Sequence, residues 1–379
     1  MAATMADTPA PPNDATAAGM ARVLEAHRGE RHVIVLQDFP DPDAIAAAFA
    51  HRLIAARYDI TCDAVYAGTV SHQQNRALLR LLEIDLQRYE GTLEPNKYAG
   101  SVFVDNQGTT ATVLVEALAA AGVPVLVVVD HHAPQNRLHP EFSDVRRAGA
   151  TATLYAGYLQ AGLLALDRSE NDHVRLATAL MHGLLSDTGG FTRAGPGDFQ
   201  AAAYLSQFYD GDLLGHIVNQ ARSRQTMDVI RRALGDRQIA DGFCMAGAGF
   251  LRAEDRDAIP QAADFLLTEE NVHTAVVYGL VGAEGEEKLI GSLRTRKLTL
   301  DPDAFLKEAL GKNAAGRFFG GGKSDAGGFE IPLEFLAGGH DEALRDLKWQ
   351  AFDRQLKAKF LDRLGVEPAA PPASANDGS

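Results

Sequence analysis

Four short apolar runs in this chain lead into aspartate: Val33 to Leu36 before Asp41-Pro42-Asp43, Ser101 to Val104 before Asp105, Val125 to Val129 before Asp130-His131-His132, and Met181 to Ser186 before Asp187. Aspartate is a poor strand former. One placed just past a buried strand marks the carboxyl edge of a sheet, where open parallel sheets build ligand sites. Between the runs lie helical stretches: Ala44 to Arg57; Ser71 to Glu83, with Ala77, Leu78, Leu81 and Leu82 at helical spacing and Ser71 as cap; 109–121, stopped by Gly122; 150–166; and Asp172 to Leu185. Ala64 to Ala67 adds a further strand. This rhythm predicts an α/β fold with a mainly parallel, doubly covered sheet.

Five or six acidic groups and a useful histidine in one cleft need a counter-charge. Mn²⁺ and Mg²⁺ favour oxygen-rich sites, Mn²⁺ accepting some imidazole. Two ions about 3.5–4 Å apart can share a carboxylate and clamp an activated water against a phosphoryl group. Asp41 and Asp43 stand two residues apart in a turn stiffened by Pro40 and Pro42, a spacing that can serve adjacent ions.

The 379 residues are enough for two domains with proper cores. A net charge of −14 rules out a broad basic surface for duplex DNA and favours a short or small anionic substrate over a long nucleic-acid tract. Cys62 and Cys244 lack CxxC spacing, which excludes thiolate zinc and speaks against a disulfide framework; both read as packing residues. No apolar run approaches the about 20 residues of a membrane span. Residues 1–20 lack the charged start and apolar block of a signal peptide, so they read as a disordered tail and the protein as cytoplasmic.

The expected organisation is a catalytic domain over 21–195, a polar connector over 196–235 read as a helical pair, and a smaller α/β domain over 236–340. A charged amphipathic helix over 341–365, capped by Asp341, and a tail over 366–379 complete it. The second domain is expected to hold strands at 243–250, 274–281 and 288–294, helices at 259–268 and 302–310, a turn at Glu284-Gly285-Glu286, and a Gly-rich loop before Phe329 to Pro332. Gly320, Gly321 and Gly322 can offer backbone amides to phosphate, flanked by Arg317 and Lys323. Arg294 and Arg296 alternate on a strand and can face one side. Gly338-Gly339-His340 reads as a helix start, and Arg222 and Arg224 as solvated. His32, His51, His139, His173, His182, His216 and His273 have no partner spacing and read as structural.

Phe39-Pro40-Asp41-Pro42-Asp43-Ala44, Asp105-Asn106, Asp130-His131-His132 and Asp187-Thr188-Gly189 resemble, in order, the four motifs of the DHH phosphoesterases. Tyr66 to Asn75 and Gly149 to Thr153 are similar to the subset containing nano-RNases, pAp phosphatases and cyclic-dinucleotide phosphodiesterases. Ser292-Leu293-Arg294, the Gly320–Gly322 run and Ala326-Gly327-Gly328 resemble the DHH-associated substrate-binding domain, so the resemblance spans about residues 30–335.

The resemblance implies hydrolysis of short RNA or DNA fragments, or of 3′-phosphoadenosine 5′-phosphate (pAp). It implies two Mn²⁺ ions, with Mg²⁺ or Co²⁺ as alternatives, and a metal-activated hydroxide as nucleophile. Asp41, Asp105 and Asp187 would hold one ion, and Asp43, Asp105, His131 and Asp187 the other. Asp130 would fix the imidazole, and His132 would touch the scissile phosphate or assist proton transfer. Arg294, Gly320, Gly321, Gly322, Lys323 and His72 would face substrate. Two positions depart from the family: Gln37 stands where its first motif carries His, and Lys323 where its glycine loop carries His. Gln37 would ligate through a neutral oxygen, more weakly than imidazole toward Mn²⁺. A nucleotide-binding regulatory relative with weakened catalysis and a cyclic-dinucleotide phosphodiesterase are the alternatives, and a homodimer is left open.

Overall fold

The computed structural model describes residues 14–70, 72–92, 94, 97–282, 286–323, 325–339 and 341–366. The Ser71 cap, Glu284 and Gly285 of the expected turn, and His340 lie outside the described residues, as do 1–13 and 367–379. The chain divides into two compact units, Met1–Ala221 and Arg222–Ser379.

The first unit contains, in chain order, α1 (Asp14–Ala26), β1 (Arg31–Val35), α2 (Pro42–Ala56), β2 (Thr61–Tyr66), α3 (Gln73–Leu81), β3 (Gln87–Arg88) and β4 (Gly100–Val104). It continues with α4 (Thr112–Ala120), β5 (Val125–Asp130), β6 (Phe142–Val145), α5 (Thr151–Gln160), α6 (Asn171–Asp187), α7 (Pro196–Leu205) and α8 (Gly211–Val218). Its six strands pair in the order β3-β2-β1-β4-β5-β6, all parallel. The order runs one way from β1 to β2 and the other way from β1 to β4. The crevice beyond the carboxyl ends of β1 and β4 is therefore a topological switch point, the usual ligand position in an open parallel sheet.

Alternate strand residues supply two cores, as a doubly covered sheet requires. Ile34, Val102, Val104, Val127 and Val129 pack with the alanine-rich α2 and with α5 and α6. Val33, Val35, Phe103 and Val128 pack on the other face against Leu114 and Leu118 of α4.

The structure departs from the sequence reading in four places here. Met181 to Ser186, grouped with the strand-like runs but also within the helix expected over Asp172 to Leu185, is helical: it forms the last turns of α6, and Asp187 is that helix's final residue. Leu176, Leu180 and Leu184 recur every four residues and are fully buried, so the helical period governs the whole stretch. A helix begins at Asp14, inside the stretch expected as a tail, and buries Ala17, Met20 and Leu24. The span 196–235 carries three helices where a pair was expected; α7 and α8 lie in the first unit, and α9 (Arg224–Asp236) in the second. The short edge strands β3 and β6 had no legible apolar pattern.

The second unit continues with β7 (Gln238–Ala240), β8 (Phe243–Leu251), α10 (Ala258–Leu266), β9 (Thr274–Val281), β10 (Lys288–Thr295), α11 (Pro302–Leu310), β11 (Gly320–Gly322), β12 (Ala326–Pro332) and α12 (Glu342–Leu364). Its sheet order is β11-β12-β10-β9-β8-β7, with only β8 and β9 parallel. Val229, Ile230 and Ala233 of α9 and Ile259, Ala262 and Ala263 of α10 cover one face. Phe305 and Leu306 of α11 with Leu356 and Phe360 of α12 cover the other. Asp341 caps α12 by accepting from the Ala343 amide. The buried Lys348 ammonium anchors that helix by donating to Glu287 at 2.8 Å and to the Leu336 and Gly338 carbonyls. Gly320–Gly322, expected as a loop, pairs with β12 as a short strand. Among the described residues, no helix is long and apolar enough to cross a membrane.

Candidate metal centre

Asp41 is the N-cap of α2, Pro42 its first residue and Asp43 its second. This is an efficient helix start: the Asp41 carboxylate accepts from the Ala44 amide at 3.0 Å, and proline suits a position whose N–H has no helical partner. Asp43 is fully buried and accepts from the Thr151 amide at 2.6 Å and the Ala152 amide at 2.8 Å. It thereby supplies α5 with the cap that Ala150 cannot, at a helix end that favours negative charge.

Asp105 follows β4 with φ +56°, a left-handed conformation that aspartate tolerates better than most residues. The turn is locked by Asn106, whose side-chain amide donates to the Val35 and Val104 carbonyls and whose oxygen accepts from the Gly108 amide. Thr151 donates its hydroxyl to Asp105 Oδ1 at 2.9 Å. His131 Nε2 lies 3.5 Å from Asp105 Oδ1 and 3.3 Å from Asp187 Oδ2. The other ring nitrogen, Nδ1, faces the Ala148 carbonyl at 3.1 Å.

The expectation that Asp130 fixes the ligand imidazole needs correction. Asp130 accepts from His132 Nδ1 at 2.8 Å and from Gln107 Nε2 at 2.6 Å, while the backbone at Ala148 orients His131. Successive residues leaving a strand diverge, so one carboxylate serves the second ring of the pair. The Gln37 amide nitrogen donates to Asp41 Oδ2 at 2.8 Å, which places its side chain beside the first of the acids.

Two donor groups converge: Asp105, Asp130, His131 and His132, and Asp43, His131 and Asp187, the atoms in each lying within 4.8 Å of one another. Burial, then the Asp187 charge, raises the carboxyl pKa of Asp41 and pushes that of Asp43 up to about 8. Burial, with the charges of Asp41 and Asp43, holds Asp105 well above the usual range. Burial would lower His131, but Asp187 and Asp43 outweigh it and hold the imidazole at about 9. Burial would likewise raise Asp130; the hydrogen bonds from His132 and Gln107 outweigh it and keep that carboxylate ionised.

These groups fit a divalent cation. Asp105 Oδ2 and His131 Nε2 are buried without a hydrogen-bond partner, a costly arrangement that a shared cation would satisfy. Carboxylates that resist ionising together find in such a cation the missing positive charge. Oxygen donors with one imidazole suit Mn²⁺ or Mg²⁺ chemistry.

Residues with no motif of their own complete the surroundings. Asp198, buried in α7, accepts from the Gly149 and Gly195 amides and from the Thr153 hydroxyl, fixing the loop that carries Thr151 to the acids. Pro196 followed by Asp198 is legible as a helix start, but its contact with residues 149–153 is not. Gly183 lets α6 approach α2: a Cβ there would stand 3.0 Å from Asp43 Cα and 3.1 Å from its Oδ1.

The expected substrate residues are placed as follows. His72 occupies the N-cap position of α3, and Asn75 ties that helix start to the Pro40 carbonyl beside Asp41. In the second unit, Arg294 pairs with Asp264 at 2.9 Å and donates to Ser292 Oγ. The Gly322 amide donates to Asp303, and Lys323 is exposed. Arg296 lies just past the end of β10.

No protein-family profile matches the chain. An uncharacterized protein of Methanocaldococcus jannaschii is 35% identical over 333 residues, covering 86% of this chain and 63% of that protein, so the chain spans less than two thirds of this relative's length. An exopolyphosphatase-related protein from Bacteroides fragilis superposes with a TM-score of 0.65 at 15% identity, covering 92% of this chain and 98% of that one. RecJ from Thermus thermophilus, solved in complex with Mn²⁺, gives 0.51 at 16% identity over 94% of this chain and 56% of its own. This chain shares the fold of the exopolyphosphatase-related protein and of RecJ, and its acids at the switch point stand in the order of the motifs set out above.

Proposed function

We propose that the chain is a divalent-metal-dependent phosphoesterase acting on short oligonucleotides or on pAp. The observation that carries this reading is the convergence of Asp43, Asp105, Asp187 and His131 at the switch point, with the Asp41 charge close enough to raise Asp105, and with Asp105 Oδ2 and His131 Nε2 buried without a hydrogen-bond partner. Asp41, Asp43, Asp105, His131 and Asp187 would hold the metal. Bound ions would supply Lewis acidity and a lowered water pKa.

The chain's own groups do the rest. Asp130 accepts from Nδ1 of His132, which leaves Nε2 free to take a proton from an attacking water or, as the imidazolium, to donate to a phosphoryl oxygen or leaving group. His132 is 39% exposed, which supports a role in contact with substrate. Thr151 is engaged with Asp105 and serves to position it. In the second unit, Arg294, the Gly320–Gly322 strand and Lys323 would bind substrate phosphate, the phosphate displacing Asp264 from Arg294. Cys62 and Cys244 are buried and free, in keeping with a cytoplasmic setting.

The test incubates metal-stripped protein with pAp, the dinucleotide pApA and cyclic di-AMP, adding Mn²⁺, Mg²⁺ or Co²⁺ in turn. The expected result is phosphate from pAp or mononucleotide from pApA with Mn²⁺, and none from Asp105→Asn, a substitution the left-handed turn accepts. Nucleotide binding without release of either product with any metal would overturn the enzyme reading in favour of a regulatory binder. Turnover of cyclic di-AMP alone would overturn the substrate assignment.

A further inference from the structure

A second cluster of metal-type donors lies at the other edge of the parallel sheet. His27 follows the end of α1, Glu30 and His32 flank the start of β1, and Glu141 immediately precedes β6. Glu30 Oε2 stands 2.9 Å from His27 Nδ1 and 3.1 Å from His32 Nε2. The ligand atoms of these three residues lie within 4.8 Å of one another. The other nitrogen of His27, Nε2, faces Glu141 Oε2 at 3.3 Å across 114 residues of sequence. Strands rise about 3.3 Å per residue, so the length of β1 separates this cluster from the switch-point acids.

Three features set it apart from a solvated surface ion pair. His32 is 1% exposed, and its Nδ1 is buried without a hydrogen-bond partner. The adjacent cations are engaged elsewhere: Arg28 with Glu25 and Asp59, and Arg31 with Asp63. Glu141 holds the far nitrogen of His27, the partnership that commonly fixes the tautomer of a metal-bound histidine. Zinc bonds of about 2.0–2.1 Å put tetrahedral ligands roughly 3.3 Å apart, close to the spacings here.

We propose that His27, Glu30 and His32 form a peripheral Zn²⁺-type site, with Glu141 orienting His27, that ties the end of α1 to the starts of β1 and β6. Two imidazoles and one carboxylate favour Zn²⁺ or Co²⁺ over the Mn²⁺ or Mg²⁺ that suit the oxygen-rich acids.

The test uses the full chain, stripped of metal, in an Asp105→Asn, Asp187→Asn background, so that neither donor group at the switch point stays complete. Zn²⁺ is titrated against a chromogenic chelator, and Co²⁺ is followed by the visible absorption of tetrahedral cobalt. The expected result is one equivalent of Zn²⁺ bound, lost in His27→Ala and in Glu30→Gln, and weakened about tenfold or more in Glu141→Gln. Circular dichroism checks that each variant folds; if His27→Ala does not, Glu30→Gln decides. Zn²⁺ affinity unchanged in a folded His27→Ala or Glu30→Gln variant, or no Zn²⁺ bound by the parent, would overturn the site and leave a hydrogen-bonded knot. In the otherwise unaltered chain, His27→Ala leaves Mn²⁺-dependent turnover in place.

Discussion

Asp105 shows how much one residue can carry. It turns the chain with a positive φ, accepts the Thr151 hydroxyl and presents a second, unpartnered oxygen to the acids around it. Its importance was legible because an aspartate after a buried strand has few structural reasons to be there. Asp41 and Asp43 were legible on the same grounds, His131 as the neighbour of Asp130 at a strand end, and Asp187 from an apolar run that proves to be helical. Asp198, Ala148 and Gln107 were not, and Thr151 stood in a resembling segment without its contact to Asp105 being readable, because these contacts join loops that only the folded sheet brings together. Gln37 belongs to this scale too. It holds Asp41 through a neutral donor where an imidazole would offer a lone pair. Gln37→His should tighten Mn²⁺ binding by about one to two orders of magnitude, the size of other local changes around metal ligands. Calorimetric titration of the stripped protein checks it, and equal or weaker binding would remove Gln37 as the weak point of the centre.

At the scale of elements, the acidic ends are three strand exits and one helix exit. The strand exits follow from the parallel sheet and were readable from apolar runs. The helix exit was misread in part, because six largely apolar residues fit either period and only the flanking Leu176 and Leu180 decide. Gly183 lets α6 lie against α2 closely enough for Asp187 to reach the acids. Gly183→Val should destabilise the first unit by about 1–3 kcal/mol through overpacking, with weaker Mn²⁺ binding as the helices separate. Thermal unfolding with and without Mn²⁺ measures both effects; a variant with unchanged metal affinity would show that α6 needs no such approach. The polar stretch 196–235 was legible as helical, but its division between the units was not. That division depends on which core each apolar stripe enters.

For the whole molecule, acid stability is set partly by histidines buried far from any chemistry. His51 is fully buried with Nδ1 3.0 Å from the Tyr155 hydroxyl, and burial lowers its pKa to about 3. The folded state therefore binds fewer protons than the unfolded state between that value and the ordinary 6.5. The stabilising contribution of neutral His51 is complete above pH 6.5 and is lost as pH falls toward 3. His51→Phe should narrow its Tm deficit relative to the parent as pH is lowered from about 7 to 4. A constant deficit across that range, in a series of thermal melts, would mean that His51 does not titrate in this way. The origin of Asp187 on a helix has a last consequence. Asp105 and His131 leave strands laced to neighbours on both sides, so neither can shift without breaking inter-strand hydrogen bonds. Asp187 ends a helix whose hydrogen bonds are internal, so its position among the acids rests on side-chain packing, through Gly183 against α2, and not on an inter-strand ladder.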